Sequence, residues 1–93
     1  MRVQSYISSK LNFNVDTEGK LSCDFRGHGP VKVTWRKVGL KKLPKRMIVE
    51  KNSLKISSVK QEDAGDYYCT GINSFSNESR KIHVSVYGMN LLL

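Results

Sequence analysis

The chain has 93 residues, which is enough for one small domain. Its 16 lysines and arginines outnumber its 8 aspartates and glutamates, and the formal net charge of +8 favours acidic or polyanionic partners over basic ones. The two cysteines and two histidines lack the spacing of a zinc site, and the sequence has no Gly-rich phosphate loop or nucleophile elbow, which excludes the common signatures of metal, nucleotide and hydrolase chemistry.

The first half of the chain has the period-two pattern of β-strands. Within residues 5–15, the apolar residues Leu11, Phe13 and Val15 alternate with asparagines, and residues 21–25 alternate in the same way. The pattern predicts two half-buried strands joined by a turn at residues 16–19. Residues 27–30, Gly-His-Gly-Pro, break this pattern and predict a loop. The alternation resumes in residues 31–35, which predicts a third strand.

The second half of the chain continues in the same way. Residues 36–44 contain glycine and proline and predict a turn region, after which residues 47–49 predict a short strand. Residues 54–56 begin and end with apolar side chains and predict the inward pair of the next strand. Residues 73–77 predict a hairpin, and residues 82–86 predict a last strand with alternating apolar and polar side chains.

Residues 62–69, Glu-Asp-Ala-Gly-Asp-Tyr-Tyr-Cys, form a motif in which the fixed positions have physical roles. Asp63 is a short acceptor suited to closing a turn, and Gly65 can adopt the positive φ that lets the chain turn into a strand. Tyr67 and Cys69 are two residues apart, so in a strand they enter the same core. The buried phenol then needs a hydrogen-bond partner, for which upstream carbonyl groups are available.

This motif resembles the corner between strands E and F of an immunoglobulin domain, with Tyr67 as the tyrosine-corner residue. Cys23, Trp35 and Leu54 precede it in the order that the family shows, and the eighteen residues between Trp35 and Leu54 are too few for the extra strands of a variable domain. The chain therefore resembles the I-set or C2 subtype, as in cell-adhesion molecules and receptor ectodomains. The resemblance implies an all-β, two-sheet Greek-key sandwich whose core contains Trp35, Leu54 and Tyr67.

The resemblance also implies roles for individual residues. It implies a disulfide between Cys23 and Cys69 that joins the two sheets, and two buried free thiols are the alternative. A disulfide would indicate an oxidising compartment. The family's corner aspartate often pairs with a base at the start of strand D, so Asp63 is expected to pair with Arg46 or Lys45.

Residues 1–88 are expected to form one immunoglobulin-like domain, and residues 89–93 are expected to be a C-terminal tail or linker stub. Residues 1–6 do not lead into the 7–15-residue apolar stretch of a signal peptide, so we expect no signal peptide here, as in an excised module or an incomplete chain. The apolar end of the chain is far shorter than the roughly 20 residues that span a bilayer, so we expect no membrane insertion by this segment.

A run of basic side chains is the main candidate for binding. Seven lysines and arginines fall within residues 32–46, and no acid occurs in residues 25–49. If the third strand and the connection after it form a sheet edge, these side chains build a cationic ridge. Such a ridge attracts heparan-type glycans or an acidic protein, and nucleic acid fits an extracellular setting less well. The alternative is a solvated edge that lysines protect against sheet pairing. The predicted polyanion-binding or partner-binding residues are Lys32, Arg36, Lys37, Lys41, Lys42, Lys45 and Arg46.

Two positions in the predicted hairpin are further candidates. Asn77 begins the one Asn-x-Ser/Thr sequon of the sequence, Asn-Glu-Ser, and is the predicted N-glycosylation site. Phe75 is a predicted partner contact, because an aromatic ring at a loop tip buries a large area at a small entropic loss. Packing of this ring against the rim of the sandwich is the alternative. His28 and His83 are predicted to be surface histidines.

These observations predict an extracellular or cell-surface recognition module that is part of a larger glycoprotein. Its expected partner is a protein, bound homophilically or heterophilically in cell adhesion or in a receptor ectodomain. The alternative is an intracellular structural module of a giant muscle or cytoskeletal protein, since the same subtype occurs there. We expect no enzymatic activity, no cofactor, no metal site and no small-molecule substrate, because no residues are spaced for such chemistry.

Overall fold

A computed structural model describes residues 8–25 and 30–88, which form seven β-strands and one turn of 3₁₀ helix, Gln61–Asp63. The strands are β1 (Ser8–Asn14), β2 (Gly19–Ser22), β3 (Lys32–Lys37), β4 (Met47–Glu50), β5 (Ser53–Ile56), β6 (Gly65–Ile72) and β7 (Asn77–Tyr87). The first residues of the predicted first strand, most of the predicted loop with His28, and the predicted tail at residues 89–93 lie outside the described residues.

The seven described strands form two sheets that enclose one core. The first sheet has the order β1-β7-β6-β3, in which β1 runs parallel to β7 and the other neighbours are antiparallel. The second sheet has the order β2-β5-β4 and is antiparallel throughout. Residues 38–46, all of which the structure describes, contain no strand, in agreement with the short spacing in the sequence. The predicted all-β, two-sheet architecture is confirmed.

Alternation along the strands sends one set of side chains into the space between the sheets. Tyr67 and Cys69 of β6 are buried, as are Leu54 and Ile56 of β5. Cys69 forms a disulfide with Cys23, and this confirms the predicted bridge. Among the described residues, the buried apolar side chains are Leu21, Cys23, Trp35, Met47, Leu54, Ile56, Val59, Tyr67, Cys69, Ile82 and Val84.

Strand β2 is shorter than the sequence predicts. It ends at Ser22, although the backbone N–H of Cys23 still donates to the Asn52 carbonyl oxygen at 3.0 Å. Phe25 lies beyond the strand and still packs against the core, where its ring fills the space above Gly71. A Cβ atom at position 71 would lie 2.6 Å from that ring. The apolar alternation of this segment therefore marks inward-facing positions beyond the end of the strand itself.

Candidate binding surface

The turn before β6 is held by a buried carboxylate. Asp63 is 1% exposed and accepts hydrogen bonds from the Lys60 backbone N–H at 2.8 Å and from the two terminal nitrogens of Arg46 at 2.8 and 2.5 Å. The Tyr67 hydroxyl donates to the Asp63 carbonyl oxygen at 2.7 Å. Gly65 lies between them with a φ of +139°, which a residue with a Cβ atom adopts only with strain. These contacts fix the direction in which β6 enters the sheet.

Arg46 is the base that pairs with Asp63, while Lys45 is exposed. The Arg46 guanidinium also donates to a carboxylate oxygen of Glu62 and to the Ser58 carbonyl oxygen, each at 3.3 Å. Its hydrogen bond to Asp63 raises the pKa of Arg46 above the ordinary value. Arg46 is therefore engaged in holding the turn, and its charge is already paired within the domain.

The seven basic side chains predicted as one ridge do not share one surface. Arg46 faces the turn, and Lys37 lies on the same side of β3 as Trp35. The ammonium of Lys37 is 5.7 Å from the centroid of the Tyr67 ring. The remaining five side chains are exposed on β3 and on the connection that follows it. We call them the exposed basic set, which consists of Lys32, Arg36, Lys41, Lys42 and Lys45.

A second group of polar side chains lies on the first sheet, on the side away from the core. Strand register places Arg36 of β3, Tyr68 of β6 and Lys81 of β7 in one cross-strand row. The guanidinium carbon of Arg36 is 4.8 Å from the centroid of the Tyr68 ring, which is cation–π geometry. The row thus presents an aromatic ring between two cations.

The next row joins Asp66 of β6, His83 of β7 and Lys10 of β1. The Asp66 carboxylate lies 2.7 Å from Nδ1 of His83 and 3.7 Å from Nζ of Lys81. The hydrogen bond with His83, and more weakly the charge of Lys81, lowers the pKa of Asp66. These side chains border a shallow depression of about 340 Å³. We define the outer sheet face by six residues: Lys10, Arg36, Asp66, Tyr68, Lys81 and His83.

The two hairpin candidates lie at the end of the first sheet where β6 turns into β7. Asn77 is the first residue of β7 and is exposed. Phe75 lies in the four-residue turn before it and is 79% exposed. Both side chains are therefore accessible from outside the domain.

The family model of the immunoglobulin I-set domain matches residues 3–86. The chain is an immunoglobulin I-set domain. Protogenin from Mus musculus is 36% identical to it over 74 residues, which cover 71% of this chain and 6% of Protogenin. Lachesin from Drosophila melanogaster is 36% identical over 72 residues, which cover 75% of this chain and 20% of Lachesin. The I-set domain thus spans a fifth or less of the length of these two relatives.

Solved structures show the same fold. This I-set domain superposes with a TM-score of 0.75, at 23% identity, on part of the structure of the N-terminal eight Ig domains of Down Syndrome Cell Adhesion Molecule, isoform 1.30.30. The match covers 85% of this chain and 13% of that one. At this level of identity the likeness concerns the arrangement of the strands, and it agrees with the two-sheet architecture described above.

Within residues 8–25 and 30–88 of the I-set domain, no three His, Cys, Asp or Glu side chains are grouped so that they could hold a metal ion. In the same ranges no helix is both long and apolar enough to cross a membrane. Both cysteines belong to the disulfide.

The grouping of Lys10, Lys81 and His83 on one surface was not predicted from the sequence. Lys81 and His83 occupy polar positions of the predicted last strand, so their outward direction was readable from the alternation. Their proximity to Lys10 could not be predicted from the sequence, because Lys10 is about 70 positions away. It becomes their neighbour only through the parallel pairing of β1 with β7. For Lys37 a signal was available, since the alternation that directs Trp35 inward directs Lys37 to the same side.

The Tyr67 phenol should make the I-set domain sensitive to alkali. Burial raises the pKa of Tyr67, so the folded domain keeps this phenol protonated above about pH 10, where the unfolded chain ionises it. The associated stability is intact below about pH 10 and is lost as the pH rises further. We expect the free energy of unfolding, measured by urea titration, to fall more steeply above about pH 10 in the wild type than in Tyr67→Phe.

At neutral pH the Tyr67→Phe variant should itself be less stable by about 1–3 kcal/mol, because the buried Asp63 carbonyl loses its donor. Tyr87→Phe is the matched control, since the Tyr87 side chain is 56% exposed, and its pH profile should follow that of the wild type. Parallel alkaline profiles for the wild type and Tyr67→Phe would contradict the prediction.

Proposed function

We propose that this I-set domain is a non-enzymatic recognition module of a cell-surface or secreted protein and that it binds a protein partner through the outer sheet face. The observation that supports this most is the row of Arg36, Tyr68 and Lys81 on the exposed side of the first sheet. Tyrosine and arginine are enriched among the side chains that dominate protein interfaces, because they combine large contact area with polar groups. The space between the sheets is filled by the core, so a partner would contact the outside of a sheet.

The setting of the domain is supported by two observations. The Cys23–Cys69 disulfide persists in an oxidising compartment. This favours an extracellular module over the alternative, an intracellular structural module. The 36% identity to Protogenin and to Lachesin, which are cell-adhesion proteins of the immunoglobulin superfamily, supports adhesion as the class of function. Protein taken from its native source without reduction should have an intact mass lower by two hydrogens than the reduced form. Two titratable thiols in that protein would contradict the extracellular setting.

The binding test uses many copies of the domain, because a single sheet face supports weak contacts that multivalency strengthens. Beads coated with the domain should bind cells of the source organism, or one another if the partner is a second copy. Arg36→Glu combined with Tyr68→Ala should weaken this binding by about tenfold or more. Lys20→Glu combined with Ile48→Ala is the matched control on exposed positions of the second sheet, and it should bind as the wild type does.

The class of partner is separated by pretreating the cells. Protease should remove binding, and heparinase should leave it unchanged. Equal loss of binding in the test and control variants would contradict the outer sheet face as the binding surface. Binding that resists protease and disappears with heparinase would favour the second candidate function described next.

The second candidate function is binding of a sulfated, heparan-type glycan by the exposed basic set. The observation that favours it is the concentration of five exposed cations on β3 and its following connection, in a stretch without acidic residues from position 30 to position 49. Cations that neutralise a polyanion release its counterions, so the affinity should fall steeply with salt.

Heparin chromatography tests this candidate. The wild-type domain should elute well above the physiological ionic strength of about 0.15 M, and Lys41→Glu with Lys42→Glu should elute at clearly lower salt. Lys20→Glu with Lys51→Glu changes the net charge equally at exposed positions elsewhere and should shift the elution much less. Wild-type elution at or below physiological salt, or equal shifts in both variants, would mean that the exposed basic set is not a glycan site.

A further inference from the structure

The turn between β6 and β7 carries the sequon of this domain in an accessible position. Asn77 is exposed and pairs across the hairpin with Ile72, whose side chain is 43% exposed. The sequon, Asn-Glu-Ser, thus begins at the first residue of β7 and continues into that strand. A glycan on this asparagine would project from the end of the first sheet, where it would meet no core packing.

Hydrogen bonds also fix the backbone of the turn that carries the Phe75 ring. The Asn73 side-chain oxygen accepts the backbone N–H groups of Phe75 at 2.8 Å and Ser76 at 2.9 Å, and the Asn73 N–H donates to the Ser76 carbonyl oxygen at 3.0 Å. These bonds close the turn and fix its backbone. Phe75 precedes Asn77 by two residues, so their Cα atoms are at most about 7 Å apart, within the reach of the first sugar of a glycan.

We propose that Asn77 carries an N-linked glycan whose first sugar packs against the ring of Phe75. The inference rests on the proposed extracellular function, because the modification requires entry into the secretory pathway. In the transfer, the Asn77 amide nitrogen bonds to the anomeric carbon of an oligosaccharide carried on a polyprenyl pyrophosphate. The bond between the anomeric carbon and the pyrophosphate oxygen breaks, the polyprenyl pyrophosphate leaves with the bonding electrons, and the amide gives up one proton to the transferase.

The physical reason for the packing is the exposure of Phe75. Its side chain is 79% exposed, so much of an apolar ring faces water in the unmodified domain. The C–H face of a pyranose ring is apolar and can lie flat on an aromatic face, which removes both surfaces from water. This assigns Phe75 to the glycan of its own domain, whereas the sequence predicted it as a partner contact.

The test is a comparison of glycoforms produced in a secretory cell line that adds high-mannose glycans. Endoglycosidase H trims such a glycan to its first sugar, and peptide N-glycosidase F removes it entirely and leaves aspartate at position 77. The melting temperature should be unchanged by trimming and should fall by roughly 4–8 °C on complete removal. Asn77→Asp, produced without a glycan, should have the same melting temperature as the fully deglycosylated protein. This variant is the control for the carboxylate that enzymatic removal leaves at position 77.

The variants Phe75→Ser and Phe75→Tyr identify the ring as the contact. Phe75→Ser should melt at the same temperature with and without the glycan, whereas Phe75→Tyr should respond as the wild type does. An unmodified Asn77 in exported protein, or equal falls in the wild type and Phe75→Ser, would overturn the inference. Neither result affects the proposed recognition function, which is tested by the disulfide and by bead binding with Phe75 intact.

Discussion

Loss of the Cys23–Cys69 bridge is expected to lower the free energy of unfolding of the I-set domain by about 4 kcal/mol. The two cysteines are 46 positions apart, and a cross-link over a loop of that length restricts the unfolded chain far more than the folded one. Small domains have total unfolding free energies of about 5–15 kcal/mol. Removal of the bridge should therefore take away a large fraction of the stability of the fold.

Urea unfolding, followed by the fluorescence of Trp35, measures this effect. Trp35 is the single tryptophan of the sequence and pairs directly with Cys69 across β3 and β6, so it reports on the centre of the core. Reduced wild-type protein keeps both sulfur atoms, and Cys23→Ala with Cys69→Ala removes them. Their comparison separates loss of the cross-link from loss of packed atoms. Equal urea midpoints for oxidised and reduced wild type would contradict the prediction.

The second large effect is expected for Asp63→Ala, which should lower the free energy of unfolding by about 3–5 kcal/mol. The carboxylate is buried, and its removal leaves the guanidinium of Arg46, a side chain that is 24% exposed, without its principal partner. The Lys60 backbone N–H loses its acceptor in the same change. Breaking one side of a partly buried ion pair is costly because the remaining charge stays desolvated.

Glu62→Ala is the matched control for this prediction. Glu62 contacts the same guanidinium at 3.3 Å, but its side chain is 74% exposed, so its removal should change stability by less than about 1 kcal/mol. Urea titrations followed by circular dichroism measure both variants. Similar losses of stability for Glu62→Ala and Asp63→Ala would mean that the burial of Asp63 does not increase its contribution to the free energy of unfolding.

Arg46→Ala combined with Asp63→Ala should lower the free energy of unfolding by less than the sum of the two single variants, since the two side chains act as one pair.

The corner was accessible from sequence because its residues are marked by local chemistry, and the disulfide was implied by the family that the corner resembles. The motif that contains Asp63, Gly65, Tyr67 and Cys69 combines a turn acceptor, a glycine and two inward side chains within seven residues. Each of these properties depends on the covalent neighbours of a residue and on the period of a strand. This motif, with the upstream Cys23, Trp35 and Leu54, resembles the I-set or C2 subtype, and the family match assigns the I-set subtype.

The candidate surface was less accessible, because a surface is made by the pairing of strands. The sequence grouped basic residues by proximity along the chain, and the fold separates them. Lys37 lies on the side of β3 that carries Trp35, opposite Arg36, and the Arg46 side chain pairs with Asp63 of the turn before β6. Conversely, Lys10 and His83 are distant in sequence and adjacent in register. Charge density along a chain is therefore a poor guide to charge density on a sheet.

The sequence by itself determined the corner and the inward-facing positions of the strands, since a period of two and turn chemistry are properties of consecutive residues. The class of fold and the cysteine pair were implied by the resemblance of these motifs to an immunoglobulin domain. Only the tertiary structure decided that β1 runs parallel to β7, that Arg46 rather than Lys45 pairs with Asp63, and which side chains form the outer sheet face. These features depend on which strands become neighbours and in what register. That choice is made by packing across the whole core and is not encoded in any single segment.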